Sequence, residues 1–334
     1  MRKIVLVYNP VSGDALFKYK IDYIIEVFQK NKCIIIPYRT GPSNKESFIN
    51  FISAIPELYG MIIAGGDGTL NEFINILLAE NIDVPIGILP SGTSNDFASF
   101  LGINKSIDNY LSTIIEGNIR SIDVGQIADR YFINVASAGV LTSVAHRVDK
   151  ALKNTLGKMA YYIRGLGEIP NIQPLTAKFI IDHQVVEENI FLFLISNSAT
   201  VGSLPNAMPE AQIDDGLLDL MIVKQCSLPE FTSLVISLLA GRDIRRNRYV
   251  LHYQAKEINV DIKEDVETDL DGELGPTLPL TAKMLHKKLK VAVESDFNCN
   301  LLLLIMTEEI INKLLSNSAG TTGMTHFPFQ GFLT

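Results

Sequence analysis

The hydrophobic positions of this chain fall into two textures that change near residue 125. In the first, short unbroken apolar runs alternate with segments of helical spacing. Lys3–Tyr8, Cys33–Tyr38, Met61–Ala64 and Pro85–Leu89 read as buried strands. Phe17–Gln29, Lys45–Ile55, the segment after Gly68, the segment after Asp96 and Ile107–Glu116 read as helices. Strand, turn and helix repeated four times predict an α/β domain with a doubly wound parallel sheet. Beyond the change, Ser121–Ile127 and Arg130–Ala136 flank Ala128–Asp129 as a hairpin, and a helical patch covers Val144–Leu166. Ala177–Ile181, Asn189–Ser196, Leu217–Lys224, Ala255–Ile262, Val266–Leu270 and Leu289–Val293 have strand character. Short strands separated by turns predict an antiparallel all-β sandwich or barrel. The expected division is therefore 1–125, 126–293 and a 294–334 segment whose helix, at Thr307–Leu315, either packs back on the first domain or makes interfacial membrane contact.

Ligands of a doubly wound sheet bind at the carboxyl ends of its strands. Three of the four strand ends carry small, polar, Gly-containing turns, at Asn9–Gly13, Gly65–Thr69 and Ser91–Asp96, which are expected to converge on one crevice. At the middle one, Gly65-Gly66-Asp67-Gly68 strips the backbone of large side chains, and Thr69 and Glu72 have capping-box spacing ahead of Leu70, Phe73, Ile74 and Leu77. Bare N–H groups and a helix N-terminus suit phosphate oxygens, with Asp67 facing Mg²⁺ or a donor. A purely structural turn accounts for the same residues, and the spacing fits neither a Walker A loop nor a dinucleotide fingerprint. In the second half, Gln212–Asp219 sets carboxylates around Gly216, as either a solvated turn or a hard-cation site built on Asp215 and backbone carbonyls. Thr268–Glu273 is either a surface turn or the seat of a Glu acting as general base.

Composition narrows the classes. A chain of 334 residues, 47% hydrophobic and 20% charged, has room for two cored domains, and a net charge of −8 argues against nucleic acid as a partner. Cys33, Cys226 and Cys299 lack metal-ligand spacing and read as buried thiols of a reducing compartment, and the histidines form no ligand pair. The first apolar run ends at Asn9-Pro10, too early for a signal peptide, and no run approaches the ~18 apolar residues of a spanning helix. A cytoplasmic protein is expected. Arg242, Arg245, Arg246 and Arg248, beside Leu238, Leu239 and Ile244, form either a solvated face or a patch facing an anionic membrane.

Taken together, Asn9-Pro10-Val11-Ser12-Gly13, Gly65-Gly66-Asp67-Gly68-Thr69, Gly92-Thr93-Ser94-Asn95-Asp96-Phe97-Ala98 and Asp271-Gly272-Glu273 resemble the diacylglycerol kinase catalytic-domain family, the soluble bacterial lipid kinases related to sphingosine and ceramide kinases. The resemblance runs in order over roughly residues 1–293, with Tyr161-Tyr162-Ile163 and Asp214-Asp215-Gly216 at the expected intervals. Gly-Gly-Asp-Gly-Thr is shared with NAD kinases, and its first four residues with phosphofructokinases; the Gly92–Ala98 stretch is more specific to lipid kinases. The resemblance implies an ATP-binding domain of the phosphofructokinase and NAD kinase type, a β-sandwich for the lipid, and an active site between them. Asn9, Pro10, Val11, Ser12, Gly13, Thr40, Gly66, Asp67, Gly68, Thr69, Leu70, Asn71, Glu72 and Thr93 match ATP-contacting positions. Asp67, Asp96 and Asp123 match acidic positions that organise Mg²⁺ and water near the phosphates. Gln212, Asp215 and Leu217 match a structural Mg²⁺ site, Gln212 and Leu217 through their carbonyls, and Glu273 matches the general base.

The implied reaction is Mg²⁺-dependent transfer of the ATP γ-phosphate to diacylglycerol, by a protein in peripheral contact with the inner membrane surface. The alternatives are sphingosine, phosphatidylglycerol or, least fitting, NAD as acceptor, or a catalytically weak nucleotide- or lipid-binding regulator. Edge strands of the sandwich offer a route to a homodimer. Two departures stand out: Asp14 replaces a Lys common in close relatives, with Lys18 as a substitute from the next helix, and the tail after residue 294 is unlike the family.

Overall fold

The structure, a computed structural model, describes residues 1–13, 17–41, 44–92, 95–103, 106–139, 173–200 and 207–294. In the first half, strands β1 (Arg2–Tyr8), β2 (Cys33–Arg39), β3 (Leu58–Gly65) and β4 (Ile86–Pro90) lie parallel in the order β2-β1-β3-β4. Their apolar runs are continuous because helices cover both faces. A single 3-10 turn, Phe17–Lys20, opens α1 (Ile21–Lys30). It is followed by α2 (Asn44–Ser53), α3 (Asp67–Ala79), α4 (Asp96–Phe100) and α5 (Ile107–Glu116). Val5, Leu6, Phe28, Phe48, Ile62 and Phe73 belong to one buried cluster. Within it Phe48 meets Phe73 edge-on at 4.8 Å, a geometry contributing about 0.5–1.5 kcal/mol beyond burial.

The capping box expected at Thr69 and Glu72 is not formed. Helix α3 begins at Asp67 with Gly66 as its N-cap and no side-chain cap. Thr69 therefore sits inside the first turn and packs back over the strand end, so that a Cβ on Gly65 would lie 2.5 Å from Thr69 Cβ.

The second half is antiparallel and β-rich. It contains β5 (Ile119–Ile127), β6 (Arg130–Phe132), β7 (Val135–Gly139), β8 (Leu175–Ile181), β9 (Gln184–Ser196) and β10 (Leu218–Lys224). After these come β11 (Val250–Ala255), β12 (Glu257–Ile262), β13 (Thr268–Leu270), β14 (Glu273–Leu274) and β15 (Leu280–Ala292). The hairpin around Ala128–Asp129 is present, but its second strand breaks at Ile133–Asn134, so β6 pairs with β5 while β7 pairs with β9 and β13. Strand β9 separates two cores. Ile190, Phe193 and Ile195 pack on one side, whereas Phe191, Leu192 and Leu194 pack on the other with Phe231, Leu234 and Leu238.

Those last three belong to α6 (Leu228–Leu239), a helix that amends the all-β expectation. Its signal is in the sequence: Ser227 and Glu230 form the capping box, Glu230 N–H donating to Ser227 Oγ and Ser227 N–H to Glu230 Oε2.

The two halves share strands. β15 pairs with β12 and β5 antiparallel and reaches β4 in parallel, Val291 opposite Ile86. The parallel sheet thus continues into the antiparallel one. The expected helices at 144–166 and 307–315, and the tail beyond, lie outside the described residues. Among the described residues no helix is long and apolar enough to cross a membrane.

Candidate active site

The cleft floor is the carboxyl end of the parallel sheet, where three turns interlock through their glycines. Gly13 has φ +58°, and a Cβ there would lie 2.2 Å from the Ser91 carbonyl oxygen. A Cβ on Gly92 would lie 2.4 Å from Gly66 Cα. Hydrogen bonds complete the junction: Asn9 Nδ2 donates to Thr69 Oγ1 at 3.1 Å, Ser12 Oγ to the Ser91 carbonyl at 3.1 Å, and Ser91 N–H to the Gly65 carbonyl at 3.0 Å. Asn9 also accepts the Val11 N–H on Oδ1, folding Asn9–Gly13 into a tight turn that leaves Val11 76% exposed. Thr40, buried at the end of β2, donates its N–H to Tyr8. The Gly92 turn is closed by Asn95, whose side chain both accepts from Gly92 N–H and donates to its carbonyl. Thr93 lies outside the described residues, as do Asp14 and Tyr161–Ile163.

Asp67 faces the start of α4. Its carboxylate accepts the Phe97 N–H at 3.4 Å, while burial and then the neighbouring charge of Asp96 push its carboxyl above the ordinary range. Two carboxylates held this close, one of them desolvated, fit a divalent cation, which relieves both the burial and the repulsion.

Glu273 arrives from the other half. Asp271 (φ +53°) and Gly272 (φ +91°) link β13 and β14 as a two-residue turn, with Leu270 opposite Glu273. Asp-Gly is the favoured sequence for such a turn, because both residues must take positive φ. The turn aims Glu273 at the first turn of α3: a methyl on Gly68 would stand 3.1 Å from Glu273 Oε1. Asp271 has a role that its neighbours in sequence do not reveal. Its half-buried carboxylate accepts backbone N–H groups from Ile133 (2.8 Å), Asn134 (3.0 Å) and Val135 (2.8 Å), and Asn71 Nδ2 at 3.0 Å. Desolvation pushes this carboxyl up to about 6, against the pull of those donors. Leu70 and Asn71 are buried within α3, and Glu72 lies one residue further along it.

Asp123 belongs to an acidic group with Asp214, Asp215 and Asp219. Asp123 is fully buried on β5 and accepts Gly216 N–H and Lys287 N–H, each at 2.6 Å, with His286 Nδ1 2.9 Å away. The Lys287 N–H is available because β15 bulges between Leu285 and Leu289, and Lys287 takes φ +52°. Asn197, missed in the sequence although it opens a polar run after an apolar strand, donates to the Asp123 carbonyl and to that of Ile133. Asp214 is held by Arg120 at 2.7 Å, and Asp215 accepts the Leu217 N–H. Burial, then the charges of Asp219, Asp123 and Asp214, raise the Asp215 carboxyl, and Asp219 Oδ2 is buried with no hydrogen-bond partner. Excess negative charge with an orphaned oxygen fits Mg²⁺, for which Asp215 and the Gln212 and Leu217 carbonyls are the candidate ligands. Among the described residues, no group of three or more His, Cys, Asp or Glu side chains is arranged to hold a metal by itself.

Comparison with known proteins assigns this architecture. Residues 3–127 match the diacylglycerol kinase catalytic domain, and residues 134–293 the YegS C-terminal NAD kinase beta sandwich-like domain. A diacylglycerol kinase of Bacillus subtilis (strain 168) is 32% identical over 297 residues, covering 89% of this chain and 98% of that protein. This chain is a member of the diacylglycerol kinase family. A second relative, a diacylglycerol kinase of Staphylococcus carnosus (strain TM300), is 32% identical over 87% of this chain and 95% of its own length. Among solved structures, a diacylglycerol kinase from Bacillus anthracis str. Sterne superposes with a TM-score of 0.72 at 25% identity, covering 88% of this chain and 98% of that one. Membership implies a lipid kinase that uses ATP.

Proposed function

We propose that the protein transfers the γ-phosphate of ATP to the hydroxyl of diacylglycerol, giving phosphatidic acid and ADP, with Glu273 as the general base and Mg²⁺ required. The observation that carries this reading is the approach of Glu273 to Gly68, which brings a carboxylate from the β-rich half to the Gly-rich turn of the α/β half. In this reading residues 1–125 serve the nucleotide, 126–293 the lipid, and 294–334 are an appendage.

Gly13 and Gly66–Thr69, at the start of α3, meet the phosphates with backbone N–H groups, while Asn9–Ser12 and Ser91–Gly92, whose N–H groups are taken up within the junction, hold those turns in place. Glu273 accepts the proton of the lipid hydroxyl as its oxygen bonds to the γ-phosphorus, while the bond from that phosphorus to the β–γ bridging oxygen breaks and ADP leaves. Such a transfer is governed by positioning and charge neutralisation more than by covalent chemistry. Asp67 and Asp96 would hold Mg²⁺ at the phosphates, where it would supply that neutralisation, and Asp215 with the Gln212 and Leu217 carbonyls would hold a second Mg²⁺ in the other half. Asp123, through Gly216, Lys287 and His286, ties that turn to β15.

Membrane contact, part of the same reading, is weakly served by the arginine cluster. Arg245 is paired with Asp243 and Glu210, and Arg248 with Glu230, so Arg242 and Arg246 remain the better candidates for lipid headgroups.

The test is transfer of labelled γ-phosphate from ATP to a panel of lipids in mixed micelles with Mg²⁺, for wild type and Glu273→Gln. Product on diacylglycerol, reduced by about 10²- to 10⁴-fold in the variant while ATP still binds, is expected. Product confined to another lipid replaces the acceptor. No transfer to any lipid rejects the reading in favour of a binding regulator.

A further inference from the structure

Glu273 sits on a hairpin too small to hold itself: β13 has three residues and β14 two. An isolated hairpin is marginal in water even at greater length. A two-residue Asp-Gly turn does not need its side chain to form, since Asn or Gly serves as well. Yet the half-buried Asp271 carboxylate receives four N–H donors from outside the hairpin. Three of them come from consecutive residues at the break between β6 and β7, and the Asp271 N–H returns to the Val135 carbonyl at 2.9 Å. The fourth is Asn71, on the helix that Glu273 faces. Asn71 is 4% exposed and also donates to the Tyr131 carbonyl at 3.4 Å. One turn on, Asn75 brackets Tyr131, donating to its carbonyl at 2.9 Å and accepting its N–H at 2.8 Å.

Gly68 and Asn71 are three residues apart on α3 and so share one face of the helix. Asp271 and Glu273 are two residues apart across the turn. The helix and the hairpin therefore meet at two points, Asn71 with Asp271 and Gly68 with Glu273, and fixing the first determines the second. We infer that Asn71 and Asp271 are positioning residues, forming a latch that sets the distance from the Glu273 carboxylate to the phosphate-binding turn. The inference rests on the proposed role of Glu273. It also reassigns the Asn71 side chain from contacting the nucleotide to holding the base.

The experiment is steady-state kinetics and nucleotide binding on the full chain for Asn71→Ala, Asp271→Asn, Glu273→Gln and the double variant Asn71→Ala with Glu273→Gln. Asn71→Ala is expected to lower kcat by about 10- to 100-fold, the scale set by a misplaced catalytic group, with KM and Kd for ATP within about twofold of wild type. In the Glu273→Gln background the same substitution is expected to cost less than about twofold, because the latch then has no base to place. Asp271→Asn, which keeps the shape but loses acceptors, follows Asn71→Ala in kcat, and unchanged ATP affinity shows that each variant is folded. A rise in KM for ATP with kcat intact makes Asn71 a nucleotide contact and overturns the latch. So does a loss that multiplies in full on Glu273→Gln, which marks a merely structural effect. Neither result touches the base reading, which fails on its own if Glu273→Gln alone keeps its rate.

Discussion

In the parallel half, the proposed site is mostly main chain in the turns after the strands, with the Asp67 and Asp96 carboxylates beside it; in the antiparallel half it is side chains whose positions depend on hydrogen bonds from distant elements. Gly13, Gly66 and Gly92 lie in the turns that follow β1, β3 and β4, and they allow those turns to interlock through the Cβ they lack. The placement of Glu273 and Asp123 depends on partners far away in sequence: Asp271 with Asn71, and Asp123 with Gly216 and Lys287. The contrast follows from architecture. A parallel strand delivers its turn to the same edge as its neighbours, so sheet order alone gathers the loops. An antiparallel meander scatters its turns over both ends, and each one used must be tied down separately.

The largest expected effects probe whether this contrast extends to folding. Phe73→Ala in α3 and Phe193→Ala in β9 each remove a fully buried ring, at about 3–5 kcal/mol. Because β15 pairs with both β4 and β12, each is expected to lower one common unfolding midpoint. Two separable transitions in calorimetry, each answering to one substitution, would show that the halves fold independently despite the shared strand.

Next in size is Gly92→Ala, whose Cβ meets the Gly66 backbone rather than a yielding side chain. A stability loss of about 1–3 kcal/mol is expected, together with weaker ATP binding, read by titration calorimetry. Unchanged ATP affinity would remove the interlocked turns from the nucleotide site.

A pH effect of about 1–3 kcal/mol sharpens the other side. Burial raises the Asp271 carboxyl to about 6 from an ordinary 3.8, so the folded chain binds this proton more tightly than the unfolded one. The contribution to stability is complete below about pH 4 and is lost as the pH rises through 6. Denaturant unfolding of wild type relative to Asp271→Asn is expected to shift in favour of wild type as the pH falls from 7 towards 4. A difference independent of pH would show that the four donors hold the carboxyl near its ordinary value.

The smallest effect is Ser227→Ala at the cap of α6, about 1 kcal/mol of stability with kinetics unchanged. Altered kinetics would mean that the outer face of β9 and β10 communicates with the cleft.

By itself, the sequence determined what is local. Continuous apolar runs against helical spacing specify the parallel half, and glycines in the turns after the strands specify where backbones can approach closely, because a missing Cβ is a property of the residue and not of its surroundings. Asp271-Gly272 marked a tight turn, and Ser227 with Glu230 marked the start of α6, both through chemistry between near neighbours. The tertiary structure decided whatever depends on partners far along the chain. It moved Thr69 from a helix cap to a contact with Asn9, drew Asp123 to the 212–217 turn, and carried Glu273 to Gly68. A carboxylate's role depends on what desolvates it and what donates to it, and neither is written in the residues beside it.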